Sequence, residues 1–295
     1  MRVLFCLLMI FPLPVFALNV FACEPEWASL AQELGGDKVS AFSATTAKQD
    51  PHRIEARPSL IARMRSADLV VCSGAELEVG WLPLLFTQAG NGKVRPGSPG
   101  YLEASQYVPK LEIPQLVDRS LGDVHASGNP HIHLDPRNIA RVGAVLGERL
   151  GQIDPANKAY YESRAAEFAK RWQAAMQGWG SRAAPLKGVA LVVYHKDFSY
   201  FINWSGMREA GSLEPKPGIP PSPSHLAELV DQMKRAPAKV IIYEAYNSPQ
   251  AAEFLSSRTG IPAVMLPFTV GGTDRAKDLF GLFDDTVDRL LGALK

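Results

Sequence analysis

One long segment without a helix breaker constrains the fold of this chain most strongly. It follows Asp154-Pro155 and continues to Gly178. Apolar residues recur along it at spacings of four, three, four and four: Tyr161, Ala165, Phe168, Trp172 and Met176. This spacing predicts one face of a helix. We expect residues 154–182 to form a linking helix between two parts of the chain, although a core helix within one domain would show the same pattern.

Short apolar segments alternate with helical ones on both sides of this helix. The predicted strands are Leu18–Cys23, Val39–Thr45 and Ala67–Cys72 before it, and Gly188–Tyr194, Lys239–Tyr243 and Ala263–Leu266 after it. Continuous apolar strands that alternate with helices are typical of parallel sheets covered on both faces. The sequence therefore predicts an α/β fold with two doubly wound lobes at residues 18–153 and 183–295. The last helix is predicted over Arg275–Leu294.

The first 17 residues predict a signal peptide. Arg2 supplies a positive charge, and Val3 to Phe16 is almost wholly apolar. This stretch is too short for a comfortable membrane span. We expect cleavage near Ala17 and export to the periplasm, the alternative being an uncleaved anchor.

The net charge narrows the class of partner. A formal net charge of +1 argues against a nucleic-acid partner. Separately, we expect a monomer.

Two cysteines remain once Cys6 leaves with the signal peptide. They are Cys23 and Cys72, each at the end of a predicted strand. An oxidising compartment permits a disulfide between them. Two buried free thiols are the alternative, because spacing alone does not give the required geometry.

Three of the six histidines stand at strand exits or in Pro-His loops. His52 follows Asp50-Pro51, His131 follows Asn129-Pro130, and His195 ends the apolar run that begins at Val189. Ligands gather at the carboxyl ends of strands in α/β sheets, and imidazole is the commonest metal ligand. The sequence therefore predicts one transition-metal site, for zinc, shared by these three side chains.

A closed zinc site needs a fourth donor, for which Asp274 is the candidate. It lies in a Gly-Gly-Thr-Asp loop after the last predicted strand, where the alternative role is to cap the last helix. Glu244 also ends a predicted strand and is a candidate partner that holds an imidazole in one tautomer. His133 and His125 are ambiguous, the first as a packing residue and the second as an exposed residue that feeds the site.

Several motifs occur in a fixed order along the chain. They are Asp50-Pro51-His52 with Glu55, Asn129-Pro130-His131-Ile132-His133-Leu134-Asp135-Pro136, Asp154-Pro155-Ala156-Asn157, and His195 with Phe198 and Tyr200-Phe201. In this the chain resembles the metal-binding component of zinc and manganese ABC importers, the cluster A-I (cluster 9) solute-binding proteins. The resemblance implies two lobes joined by a rigid helix, with one metal ion held in the cleft by His52, His131, His195 and Asp274. It also implies delivery of that ion to a membrane permease driven by an ATPase.

The third ligand position indicates which metal is carried. Within the family a glutamate there suits manganese, whereas His195 suits zinc. Ligand chemistry independently favours Zn²⁺ as the transported ion, because three imidazoles and one carboxylate are not an oxygen-rich set. A manganese- or iron-binding member of the same family is the alternative. The chain departs from the family pattern at His133, where an aromatic residue is usual, and in retaining only His125 of a histidine-rich loop.

A zinc-dependent amidohydrolase-like enzyme is the alternative from another class. The order of His131, His133, His195, His225 and Asp274 is similar to the ligand order of those enzymes. They need an eightfold barrel of about 250 residues, with the His-x-His pair near its first strand. Only 162 residues (295 minus 133) follow the His-x-His pair here. We therefore expect a binding protein and not an enzyme.

Overall fold

The computed structural model of this chain describes residues 17–116 and 122–295. Apart from Ala17, the predicted signal peptide lies outside these residues. Within the described part, none of the helices has both the length and the apolar character needed to cross a membrane.

A parallel four-stranded sheet forms the centre of the first lobe. Its strands are β1 (Leu18–Ala22), β2 (Val39–Ser43), β3 (Leu69–Cys72) and β4 (Tyr101–Glu103). They pair in the order β2-β1-β3-β4. The helices of this part are α1 (Pro25–Gly35), α2 (Pro58–Arg65), α3 (Leu82–Ala89) and α4 (Pro136–Ile153). The central strand β3 is buried along its whole length, as expected of a sheet covered on both faces.

The second lobe repeats this order. Its strands are β5 (Ala190–Val193), β6 (Arg208–Ser212), β7 (Val240–Glu244) and β8 (Ala263–Leu266), paired in parallel as β6-β5-β7-β8. Its helices are α6 (Ser199–Ser205), α7 (Pro223–Arg235), α8 (Gln250–Thr259) and α9 (Leu279–Ala293). In each sheet the first strand in sequence therefore lies between the second and the third, and β5 and β7 occupy the places of β1 and β3.

The long helix α5 (Lys158–Ala183) joins the two lobes, as the sequence predicts. Its buried face carries Tyr161, Phe168, Trp172 and Trp179, and the helix packs against α1, α4 and α9. These aromatic side chains belong to one apolar core that includes residues of both sheets. The lobes are thus connected by a helix whose one face is part of the core.

Three features differ from the sequence prediction or extend it. The strands β4 and β6 were not predicted, because β4 has only three residues and β6 is not an apolar run. The last helix begins at Leu279 and not at Arg275, since Asp278 caps it by accepting a 2.7 Å hydrogen bond from the Gly281 amide. Cys23 and Cys72 form a disulfide, with Cα atoms 4.8 Å apart.

Candidate metal site

Three histidines from distant segments meet between the lobes. One nitrogen from each of His52, His131 and His195 lies within 4.8 Å of the others. The ring centroids are 5.3 Å apart for His52 and His131, and 5.7 Å apart for each of the other two pairs. His52 lies in the loop after β2, His131 lies just before a short 3-10 turn (Ile132–Leu134) that leads into α4, and His195 follows β5. The structure thus brings together the three histidines that the sequence selected.

Two of the imidazoles are oriented by carboxylates. His52 Nδ1 lies 2.7 Å from Asp50 Oδ1, and His195 Nδ1 lies 2.7 Å from Glu214 Oε2. Because a carboxylate only accepts, each ring donates through Nδ1, so Nε2 is the nitrogen that can bind an ion once it carries no proton. Glu214 is itself fixed by a 2.9 Å hydrogen bond from the Gly218 amide. Such carboxylate partners are common behind metal-binding histidines and raise their basicity.

The third imidazole contacts a carboxylate that the sequence analysis missed. His131 Nε2 lies 3.0 Å from Asp197 Oδ1, and the same oxygen lies 3.8 Å from His195 Nε2. Asp197 is fully buried, and its Oδ2 accepts a hydrogen bond from the Tyr246 hydroxyl. A sequence signal did exist: Asp197 follows His195 by two residues in the same strand-exit loop.

The electrostatic surroundings differ from one imidazole of the site to the next. Burial lowers the pKa of His131 to about 4, although Asp197 opposes this shift. Burial acts in the same direction on His195, but Asp197 and Glu214 outweigh it and raise its pKa to about 9. Burial would raise the pKa of Asp197, yet His131 and His195 hold it well below its usual range. His195 therefore carries a proton at neutral pH, and Asp197 carries a negative charge.

His125 lies beside the group. Its Nε2 is 3.3 Å from His52 Nε2, and burial followed by the neighbouring imidazoles lowers its pKa to about 3. It lines a cavity of about 310 Å³ together with His131 and His195. His125 is half-buried there, and its role in feeding the site stays a prediction.

The other candidates lie outside the histidine group. His133 is buried against Phe268 and Trp27, with Nδ1 3.1 Å from Glu26 Oε1 and Nε2 2.9 Å from the Phe268 carbonyl oxygen. It therefore acts as a packing residue. His225 instead places Nε2 2.9 Å from the Ser212 carbonyl oxygen, so the amidohydrolase-like ligand set does not assemble.

Glu244 interacts electrostatically with Asp197 and His195, but its hydrogen-bond partner is Asn247 and not an imidazole. It is buried at the end of β7, and its Oε2 accepts a 2.8 Å hydrogen bond from Asn247 Nδ2. Burial and the charge of Asp197 raise its pKa well above the ordinary value. The role of fixing a tautomer, predicted for Glu244, is carried instead by Asp50 and Glu214.

Asp274 is not brought into the group of donors. It is exposed in the loop between β8 and α9, and the cluster of His52, His131 and His195 does not include it. Backbone hydrogen bonds turn this loop on itself, from the Gly271 amide to the Ala276 carbonyl and from the Ala276 amide to the Thr273 carbonyl. The sequence-based choice of Asp274 as fourth ligand is thus not supported by this arrangement.

Comparison with known proteins identifies relatives over most of the chain. Residues 20–293 match the family described as ZnuA, zinc-uptake complex component A, periplasmic. The high-affinity zinc uptake protein ZnuA of Bacillus subtilis is 25% identical over 83% of this chain and 76% of its own length. The manganese ABC transporter substrate-binding lipoprotein PsaA of Streptococcus pneumoniae is 22% identical over 88% of this chain and 83% of its own length.

Solved structures share the fold. A crystal structure of ZnuA superposes with a TM-score of 0.77 at 22% identity, covering 92% of this chain and 99% of the other. A manganese-bound periplasmic metal-binding protein from Candidatus Liberibacter asiaticus gives 0.75 at 18% identity, covering 94% and 99%. The two-lobed architecture with a joining helix is therefore shared with both.

Proposed function

This chain belongs to the ZnuA family of periplasmic zinc-uptake components, and from that premise we propose that it captures zinc in the periplasm and delivers it to an ABC importer. Members of the family are metal-binding substrate-binding proteins that work with a permease and an ATPase, and they are not enzymes. The relatives include zinc and manganese proteins, so the choice of metal must come from the site itself.

One observation carries the proposal: three imidazoles from both lobes place their nitrogens within 4.8 Å of one another. Nitrogen-rich, four-coordinate sites suit zinc, whereas manganese prefers oxygen ligands and higher coordination. An ion bound here would be held by the loops before α4 and after β2 on one side and after β5 on the other. Its release to a permease would then require these segments to separate.

Titration of the purified protein with metal in competition with a chelator tests the proposal. We expect one zinc ion per chain and much weaker binding of manganese. His131→Ala should weaken zinc binding more than about 100-fold, because zinc free energies of about 10–16 kcal/mol shared over four donors give about 3 kcal/mol for each. The matched control is His225→Ala, a histidine outside the group, which should bind zinc normally. A wild-type protein that binds no zinc, or prefers manganese, would overturn the proposal.

The third ligand offers a test of selectivity. His195→Glu replaces an imidazole by a carboxylate and makes the set richer in oxygen. The ratio of zinc to manganese affinity should therefore fall. Unchanged selectivity in a competition titration would count against His195 as a ligand.

A further inference from the structure

We propose that Asp197, and not Asp274, supplies the fourth ligand to the bound ion through its Oδ1 atom. This inference rests on the proposed function and completes its donor set. It assigns a specific carboxylate in the loop after β5, two residues from the ligand His195.

Distances between the donor atoms support this assignment. Zinc–ligand bonds of about 2.0–2.2 Å in a tetrahedron place neighbouring donor atoms about 3.3–3.6 Å apart. Asp197 Oδ1 lies 3.0 Å from His131 Nε2 and 3.8 Å from His195 Nε2, values on either side of that separation. Small side-chain movements would let one ion bridge all three atoms.

The surroundings of Asp197 leave this oxygen available. The side chain is fully buried, and Oδ2 is occupied by the Tyr246 hydroxyl. Oδ1 lies 3.0 Å from His131 Nε2 but forms no hydrogen bond with the described residues. An ion bound at Oδ1 would give this buried carboxylate a cationic partner, which a buried charge needs.

Two other donors compete for the same role. Asp274 is exposed and outside the group. His125 Nε2 is 3.3 Å from His52 Nε2, which is a suitable separation, but this contact involves one of the three histidines. Asp197 contacts two members and also supplies the negative charge that balances a divalent cation in a buried site. The geometry therefore favours Asp197 over both.

Three single variants separate these possibilities: Asp197→Asn, Asp274→Asn and His125→Gln. Asparagine keeps the shape of Asp197 and can still accept from Tyr246 while removing the charge. We expect zinc affinity, measured by chelator competition, to fall about 100-fold or more in Asp197→Asn. Asp274→Asn should stay within about threefold of the wild type, and His125→Gln should lose less than Asp197→Asn. Cobalt-loaded Asp197→Asn should also show an altered visible spectrum, which a purely structural role would not produce.

The outcomes distinguish this inference from the proposed function. If Asp197→Asn binds zinc normally while Asp274→Asn or His125→Gln does not, the inference is overturned and the function stands. If the wild type binds no zinc, the function itself fails. A crystal structure of the zinc-loaded wild type decides the question without any variant that must fold. An Oδ1–zinc distance of about 2.0–2.2 Å supports the assignment, and a distance beyond about 3 Å rejects it.

Discussion

The two lobes share a strand order but carry different chemistry at equivalent strand ends. At the ends of β1 and β3 in the first lobe, Cys23 and Cys72 form a disulfide. At the ends of β5 and β7 in the second lobe stand His195 and Glu244. A disulfide thus links the two strand ends in the first lobe. In the second lobe, one strand end instead contributes a histidine to the candidate metal site.

Carboxylates near these ends also behave differently. In the first lobe, Glu24 and Glu78 are buried beside Ser73, and burial raises both pKa values, that of Glu78 to about 7. In the second lobe, the pKa of Asp197 is lowered by His131 and His195 despite burial. Asp197 therefore differs from the other buried carboxyl groups: neighbouring imidazoles lower its pKa, whereas burial raises those of Glu24, Glu78 and Glu244. The strand order is the same in both lobes, so the difference between them lies in the side chains at the strand ends and not in the fold.

Removing the disulfide should have the largest effect and should be confined to stability. The bridge joins residues 49 positions apart, and the loss of such a native bond costs about 2–5 kcal/mol. A Cys23→Ser, Cys72→Ser double variant should lose that amount in urea denaturation while the folded protein still binds zinc as the wild type does. A loss of zinc affinity at unchanged stability would show that the disulfide end of the first sheet also positions the site.

The two carboxylates behind the imidazoles allow a direct comparison of the lobes. Glu214→Gln in the second lobe and Asp50→Asn in the first should each weaken zinc binding about 10–100-fold, because both orient a ligand. Only Glu214→Gln should also lower the pKa of His195, which nuclear magnetic resonance of the imidazole measures. Glu228→Gln, an exposed glutamate on α7, is the matched control. Equal effects on the His195 pKa would contradict the distinction between the lobes.

A graded pH dependence is the smallest expected effect for a change of one pH unit. The pKa of His195 is about 9, because Asp197 and Glu214 outweigh the effect of burial. Its proton is present below that pH and must leave when zinc binds, so zinc affinity should rise with pH between 6 and 8. Each unit should change affinity about tenfold. Chelator-competition titrations at fixed ionic strength measure this, and a dissociation constant independent of pH in that range would contradict it.

Sequence periodicity and local motifs predicted much of the architecture. The helix after Asp154-Pro155, six of the strands and the two-lobed arrangement follow from the apolar spacing and the continuous apolar runs, which are properties of neighbouring residues. The strands β4 and β6 could not be predicted, because pairing with neighbouring strands, and not their own composition, holds them in the sheets. The last helix is capped by Asp278 and not by Asp274, because capping depends on backbone geometry that composition does not reveal.

The sequence by itself predicted which histidines come together, because His52, His131 and His195 each stand in a local Pro-His or strand-exit context. Tertiary structure decided which carboxylates surround them. Asp50 and Asp197 lie two residues from the histidines they flank, but His131 is 66 residues from Asp197 (197 minus 131) and His195 is 19 residues from Glu214. Contacts of that kind depend on how the lobes pack around α5, since hydrogen bonds and ion pairs act over a few ångströms in space and not along the chain.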